Sequence, residues 1–401
     1  MNAPAPLSAV NEWPAGRGSR EEFVAKYGTQ RADRYQEAFW AMDPVADALF
    51  TSGHTVKEIM PNLREALARG TADDDTLPEV AALIEDMTKA LAGLDADKLE
   101  RGRRTYLSIP PLSHGLALGP GSLVHTYATP AIADLLVNTG ELTDGAVKRL
   151  AYTTNWTYSL YLPDALQPGG EGFVHTGMVR AIHAHVRRVH NRKGLDYSEY
   201  GAPISEFDML RTWFDFTYIP YAGLRRMGWQ LTAEEEKDVF YLWKIVGRML
   251  GIRPDLFRGE DGVEASQETM DAIHAVDGEI NEAARQLVDA LMSGFVVNAR
   301  ELTGFPEDTL ADWTAAHVRI IHGDEVADAC GVAKSVMQPI LEMEAPLVQE
   351  RFDLLRQDKE ALEAEIQKNE DMVRQMLTRD ATYMKQDEGV KMKDGSMAVG
   401  A

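Results

Sequence analysis

Apolar residues recur along most of this chain at helical intervals, and no long stretch alternates between apolar and polar residues. Steps of three and four residues are typical of helices that bury one face, whereas a half-buried strand has a period of two. Helices are predicted at 21–26, 31–49, 55–69, 77–94, 129–140, 144–163 and 174–192, and further ones begin near 208, 232, 266 and 334. The pattern therefore predicts an all-α fold.

Prolines, glycines and capping residues indicate where these helices begin and end. Pro44 fits the first turn of a new helix capped by Asp43, and a capping box is expected in front of the helix that starts near 232. Residues 102–121 are rich in proline and glycine, so we expect a loop that crosses the surface. Pro220 is expected to close the aromatic helix that starts at 208.

Composition divides the chain into four parts. Residues 1–19 are rich in Ala, Pro and Gly and are expected to form a flexible arm, and residues 20–345 to form a single large helical domain. Residues 346–380 are highly charged and predict a long C-terminal helix, either on the surface or against a partner subunit in a homo-oligomer. Residues 381–401 are expected to be disordered.

Charge and motif content exclude several classes of protein. The 401 residues include 63 Asp and Glu against 41 Lys and Arg, a net charge of −22, which argues against nucleic acid or an anionic membrane as partner. The single cysteine, Cys330, excludes an intramolecular disulfide and is expected to be a small buried hydrophobe. The N-terminus shows no export signal and no apolar run reaches transmembrane length, so a cytoplasmic location is predicted.

Against this acidic background, residues 174–192 form a basic helix with four of the ten histidines. Arg180 and Arg187 lie three residues before and four after His183, so the three side chains share one face. His183 is either a hydrogen-bonded core residue or a metal or haem ligand, and the two guanidiniums suit carboxylates such as haem propionates.

Two neighbouring histidines do not extend this into a multi-histidine ion site. His185 points about 200° away from His183 around the helix, and His190 lies about 10 Å further along it. One histidine with a large planar ligand fits this spacing better than a shared small ion.

The preceding helix carries an unusually polar face. Arg149, Tyr152, Thr153 and Trp156 fall at i, i+3, i+4 and i+7. This face either supplies hydrogen-bond donors and a lid to an oxygen-binding pocket, or packs with its polar tips in solvent.

The stretch VRAIHAHVR, which contains His183, resembles the histidine helix of the latex-clearing rubber oxygenases and of the ER-bound oxygenases of mycophenolic acid biosynthesis. Arg149 and Thr153 lie 34 and 30 residues before His183, at the family's distance. Residues 231–252 and 317–332 are similar to later family segments, so the resemblance extends over about 43–332.

The resemblance implies a globin-like haem-binding core with extra helices and a b-type haem whose iron is bound by His183. It also implies roles for five further residues: Arg149, Tyr152 and Thr153 in the distal pocket, Arg180 and Arg187 at the propionates. Arg319 matches a family arginine near the haem.

The implied function is an O₂-dependent oxygenase that cleaves a C=C bond. Tyr152 stands where the rubber enzymes carry a lysine, and the export signal of those enzymes is missing. A small lipophilic substrate is therefore expected rather than solid rubber. The alternatives are a non-catalytic haem-binding sensor or carrier and a cofactor-free helical interaction protein.

Overall fold

A computed structural model describes residues 12–138, 144–193 and 197–386; the side chains of 137–138, 144–151, 193, 298, 301–302 and 378–386 lie outside the described part. Within it the chain is helical and contains no strand, so the predicted all-α fold is confirmed.

The helices up to residue 138 are α1 (Arg20–Tyr27), α2 (Thr29–Ala38), α3 (Pro44–Thr51), α4 (Val56–Arg69), α5 (Pro78–Lys89), α6 (Ala96–Leu107), α7 (Pro111–Leu116), α8 (Val124–Tyr127) and α9 (Pro130–Asn138). Those from 144 to 303 are α10 (Asp144–Ser159), α11 (Glu171–Lys193), α12 (Glu206–Phe214), α13 (Tyr218–Arg226), α14 (Ala233–Met249), α15 (Val263–His274) and α16 (Glu282–Thr303). The last four are α17 (Glu307–His322), α18 (Asp324–Ala329), α19 (Gln338–Gln357) and α20 (Lys359–Gln386).

Helix α11 lies at the centre of the arrangement and contacts α3, α4, α5, α10 and α14. Most of the apolar core surrounds it, and α14 packs along α6 in the same core. A second, smaller core lies between α8, α9, α16 and α17. None of the described helices is long and apolar enough to cross a membrane.

Two predicted helix starts are confirmed by the capping contacts. The Asp43 carboxylate accepts a hydrogen bond from the Ala46 N–H at 3.1 Å, with Pro44 in the first turn of α3. The predicted capping box of Thr232 and Glu235 is present at the start of α14. These contacts satisfy N–H groups that the helix itself leaves unpaired.

The expectation of a flexible arm over residues 1–19 is wrong for its described part. Residues 12–19 pack on the core, where the fully buried Arg17 pairs with Asp208 at 2.7 Å and lies over the Phe39 and Phe207 rings. Residues 1–11 lie outside the described part. A buried guanidinium with a carboxylate partner holds a segment whose composition is typical of a linker.

The expectation of a surface loop over residues 102–121 is also wrong. Helix α6 continues to Leu107, α7 begins with Pro111 in its first turn, and residues 117–123 form a π-helical segment that is mostly buried. A Cβ on Gly119 would lie 2.0 Å from the Phe295 ring, so this glycine permits close packing on α16. Pro220 likewise lies in the first turn of α13 and does not close α12.

The charged extension packs on the body of the same chain. It forms two helices, α19 and α20, that meet at Asp358, and α20 contacts α6, α7 and α10. The Asn369 amide donates to the Leu107 carbonyl at 2.9 Å, and Val373 is fully buried. Because α20 extends to Gln386, the expected disordered tail does not begin at 381; residues 387–401 lie outside the described part.

Candidate functional site

Arg180, His183 and Arg187 of α11 line one small cavity. The space open to a water-sized sphere is about 10 Å³, room for about one water molecule. The other lining residues come from the start of α3, from α12 and from the end of α14: Met42, Asp43, Ile204, Glu206, Met209, Leu250, Gly251 and Ile252. The structure thus brings together the three residues that the helical spacing placed on one face.

Arg180 is held by two carboxylates. Its guanidinium donates to Asp43 at 2.6 and 3.0 Å, to Asp86 at 2.6 Å and to the Met249 carbonyl at 3.1 Å. These bonds use four of its five N–H donors. Burial alone would raise the pKa of Asp43, but the hydrogen bonds and the charge of Arg180 lower it below its ordinary value. The charge of Arg180 is thus already balanced within the chain, and its role at a propionate stays a prediction.

Gly251 makes this ion pair possible. Its φ of +87° lies in the left-handed region, and a Cβ there would lie 2.7 Å from Asp43 Oδ2 and 2.8 Å from Arg180 Nη2. Glycine alone combines this backbone conformation with such a close approach. This explains the glycine in the sequence LGI, which the resemblance included without a physical role.

Arg187, seven residues further along α11, also pairs with an aspartate, but one of its donors is left without a partner within the described part. Its Nε donates to Asp47 at 2.7 Å, but its buried Nη2 has no partner among the described residues. Asp43 and Asp47, four residues apart, thus face Arg180 and Arg187, seven apart, and join α3 to α11. Sequence analysis missed these aspartates, although their helical spacing was a signal that could have found them.

The His183 ring is neutral and is not engaged. Burial first, and then the charge of Arg187, lower the pKa of His183 to about 4, against the opposing effect of Asp43. Neither ring nitrogen makes a hydrogen bond within the described part of the chain. A neutral imidazole with an available lone pair is the form that binds a metal.

The other histidines of α11 have different surroundings. His175 Nδ1 lies 3.0 Å from Ser159 Oγ of α10, and the His185 ring packs edge-on against Phe50. His190 is buried. None of the three lines the cavity beside His183.

Helix α10 is fastened to α11 at its C-terminal end. Trp156 Nε1 donates to Thr176 Oγ1 at 3.0 Å, and the Trp156 ring packs edge-on against Phe216 and Trp243. Tyr152 is 40% exposed and Thr153 is half-buried. Arg149 belongs to α10, but its side chain lies outside the described part.

Arg319 does not line the His183 cavity. It is buried in α17, and its guanidinium donates to Asp324, Asp328 and the carbonyls of Val332 and Ala333. It therefore holds α18 and the following loop in place, and its position near a haem stays a prediction. Cys330, in the same region, is buried as predicted, and burial raises the pKa of its thiol to about 11.

Two aromatic residues of α12, Trp213 and Phe214, belong to the apolar core. Trp213 stacks on Phe257 at 5.3 Å and donates to the Trp243 carbonyl, and Phe214 is fully buried. Neither lines the cavity beside His183.

Comparison with known proteins defines the class of the chain as an oxygenase domain. Residues 112–345 match the family described as ER-bound oxygenase mpaB/B'/Rubber oxygenase, catalytic domain. The chain belongs to this family, so the resemblance is confirmed, with a match that begins at 112 and not near 43.

A solved structure of latex clearing protein in the closed state has the same fold. It superposes with a TM-score of 0.60 at 21% sequence identity, over 85% of this chain and 91% of that chain. No curated protein matches the chain.

Proposed function

We propose that this chain is a b-type haem-dependent oxygenase that cleaves a C=C bond of a small lipophilic substrate with O₂, and that His183 binds the haem iron. The observation that carries the proposal is the neutral, unengaged His183 ring on the central helix of a rubber oxygenase-family domain. The oxygenase class follows from family membership; the haem, the bond cleaved and the substrate are the proposed part.

The donor set around His183 fits a haem in its chemistry. The ring offers an imidazole nitrogen, and Val179 and Val186 lie within about 60° of it on the opposite side from the arginines, given 100° per residue. Such an apolar flank suits a porphyrin ring. Arg187 Nη2 has no partner and suits one propionate, whereas Arg180 serves to hold α11.

Helix register supports a slot between α10 and α11. The contact of Trp156 with Thr176 fixes how the two helices, joined by residues 160–170, lie against each other. Seven residues back along α10 is position 149, and seven residues forward along α11 is His183. Seven residues turn a helix by nearly two full turns, so both positions fall on the faces that carry the contact. Position 149 is therefore expected level with His183.

A haem would fit beside His183 only if the slot between α10 and α11 opened. The existing cavity, with about 10 Å³ open to a water-sized sphere, is far below the usual range of ligand pockets, roughly 300–1,000 Å³. None of the described residues lining the cavity belongs to α10, so a haem between α10 and α11 requires that these two helices move apart.

When bound, the haem would supply the chemistry of O₂ activation, and the chain would position the reactants. His183 would hold the cofactor, and Thr153, Tyr152 and Arg149 would offer hydrogen-bond donors to O₂. The apolar flank holds the alkene and excludes water. Addition of both oxygen atoms across the double bond gives two carbonyl products. A dissolved lipophilic alkene is the proposed substrate.

The test compares haem content in two variants of the same helix. His183→Ala should lose the Soret band and the haem measured as pyridine haemochrome, whereas the matched control His185→Ala should retain both. Unchanged haem content in His183→Ala would refute the assignment. A colourless wild-type protein produced with ample haem would refute haem dependence altogether.

A second measurement separates an oxygenase from a haem sensor or carrier. O₂ uptake with a panel of isoprenoid and aryl alkenes should yield two carbonyl products, each labelled from ¹⁸O₂. Tyr152→Phe should lower turnover while haem content stays unchanged. Haem binding without carbonyl products across the panel would favour the sensor or carrier.

A further inference from the structure

A second group of histidines lies away from α11, where α8, α12 and the end of α15 meet. His125 of α8, His274 at the end of α15 and Asp277 three residues later each bring one ligand atom within 4.8 Å of the other two. Among the residues that the structure describes, this is the group of His, Cys, Asp and Glu side chains with metal-ligand spacing. Two imidazoles and one carboxylate form the donor set of the facial triad that binds divalent iron.

The His125 ring is oriented by a carboxylate behind it. His125 Nδ1 donates to Asp215 Oδ1 at 2.5 Å, and Asp215 Oδ2 accepts from Thr126 Oγ1 at 2.6 Å and from Arg211 Nη1 at 2.9 Å. This bond places the proton of His125 on Nδ1 and leaves the lone pair of Nε2 directed at His274. A carboxylate behind a histidine is the usual outer support of a metal ligand.

We propose that His125, His274 and Asp277 bind one divalent transition-metal ion, with Fe²⁺ in six-coordinate geometry as the best fit. The two Nε2 atoms lie 2.8 Å apart. Neighbouring octahedral ligands at about 2.05 Å from one ion are about 2.9 Å apart, so the two nitrogens are close enough to share an ion. Three protein ligands of the facial-triad type leave three octahedral positions for water or a substrate.

The charges around the group suit a cation. The two rings and the carboxylate are donors that a divalent cation accepts. Asp277 accepts from Arg211 Nε at 3.1 and 3.2 Å and keeps lone pairs for an ion. Arg211 balances Asp215, so the three ligands contribute one negative charge toward the two positive charges of the ion.

The site also has an entrance. His274 is exposed, whereas His125 and Asp277 are buried, so an ion can reach the buried ligands past His274. In the ion-free state the 2.8 Å contact is a hydrogen bond donated by His274 Nε2 to His125 Nε2. Binding shifts the His274 proton to its other ring nitrogen, and no net charge of the protein has to change. This proposal does not depend on haem binding at His183.

The experiment measures uptake of Co²⁺ and Mn²⁺ by full-length protein that has been stripped with a chelator. Equilibrium dialysis with elemental analysis should give one bound ion per chain, and the electron paramagnetic resonance signal of free Mn²⁺ should fall in parallel. His274→Ala and Asp277→Asn should each weaken binding at least tenfold, because each removes one of three ligands. The exposed His274 can be replaced without opening the core.

His54→Ala is the matched control, because His54 is a histidine that pairs with a single carboxylate, Glu79, at 2.6 Å. It should bind as the wild type does, and so should His183→Ala. In the His183→Ala variant the Co²⁺ spectrum should show the weak absorption of six-coordinate cobalt. Wild-type protein that retains no stoichiometric ion, or His274→Ala with wild-type affinity, would overturn the proposal.

Discussion

Replacing Asp43 by Asn should destabilise the protein by about 3 kcal/mol, because it leaves the buried Arg180 guanidinium with one carboxylate partner, Asp86, in place of two. Asn preserves the cap of α3, so the loss is confined to the two bonds to Arg180 at 2.6 and 3.0 Å. Removing one partner of a buried ion pair costs about 3–5 kcal/mol. Asp86 still contacts Arg180, which places the expected cost at the lower end.

Urea unfolding followed by circular dichroism measures this loss as a lower midpoint at unchanged slope. The matched control is Asp33→Asn, which breaks an exposed pair with Arg20 and should cost less than about 1 kcal/mol. Because the pKa of Asp43 is lowered on folding, its contribution is present above its unfolded pKa of about 3.9 and is lost as the pH falls below it. Equal midpoints for the Asp43 and Asp33 variants at pH 7 would refute the role given to this pair.

Three further predictions concern stability. The pKa of the buried His114 is lowered to about 4, so His114 takes up a proton more readily in the unfolded chain than in the folded one. The free energy of unfolding should therefore fall by about 2.5 kcal/mol between pH 7 and 4.5. His114→Gln should reduce that loss, as measured by denaturation at the two pH values. Gly251→Ala should lower the free energy of unfolding in urea by about 2 kcal/mol or more, and Gly259→Ala by about 1 kcal/mol. Both glycines have a positive φ, but only at Gly251 would the added Cβ contact other atoms. Val373→Ala should lower the free energy of unfolding by about 2 kcal/mol, and the exposed control Leu354→Ala should lower it by less than about 0.5 kcal/mol. Equal melting temperatures for the two variants would contradict the packing of α20.

Local patterns in the sequence were sufficient for most of the helices. The cap at Asp43 and the capping box at Thr232 act between residues three apart, so they are visible without the fold. Proline and glycine were ambiguous, because the same residues end a helix in one setting and start or pack a helix in another. Residues 102–121 are helical because Gly119 fits against Phe295, which is 176 positions away.

The candidate site, too, was predictable from local sequence patterns only in part. Periodicity placed Arg180, His183 and Arg187 on one face of α11, and the residue types around His183 pointed to a ligand. Which groups the arginines pair with depends on α3 and α5, whose positions no local pattern specifies. The sequence marked a basic helix, and the fold supplied the acids that neutralise its arginines.

The sequence by itself determined the all-α class, most helix boundaries and the face of α11 that carries His183, because these depend on residues a few positions apart. Only the tertiary structure decided that Arg17 is buried, that α20 packs on α6 and α10, and that His125 meets His274. Each of these contacts joins residues more than 140 positions apart. Their energy depends on burial and distance, which arise only when the whole chain has packed.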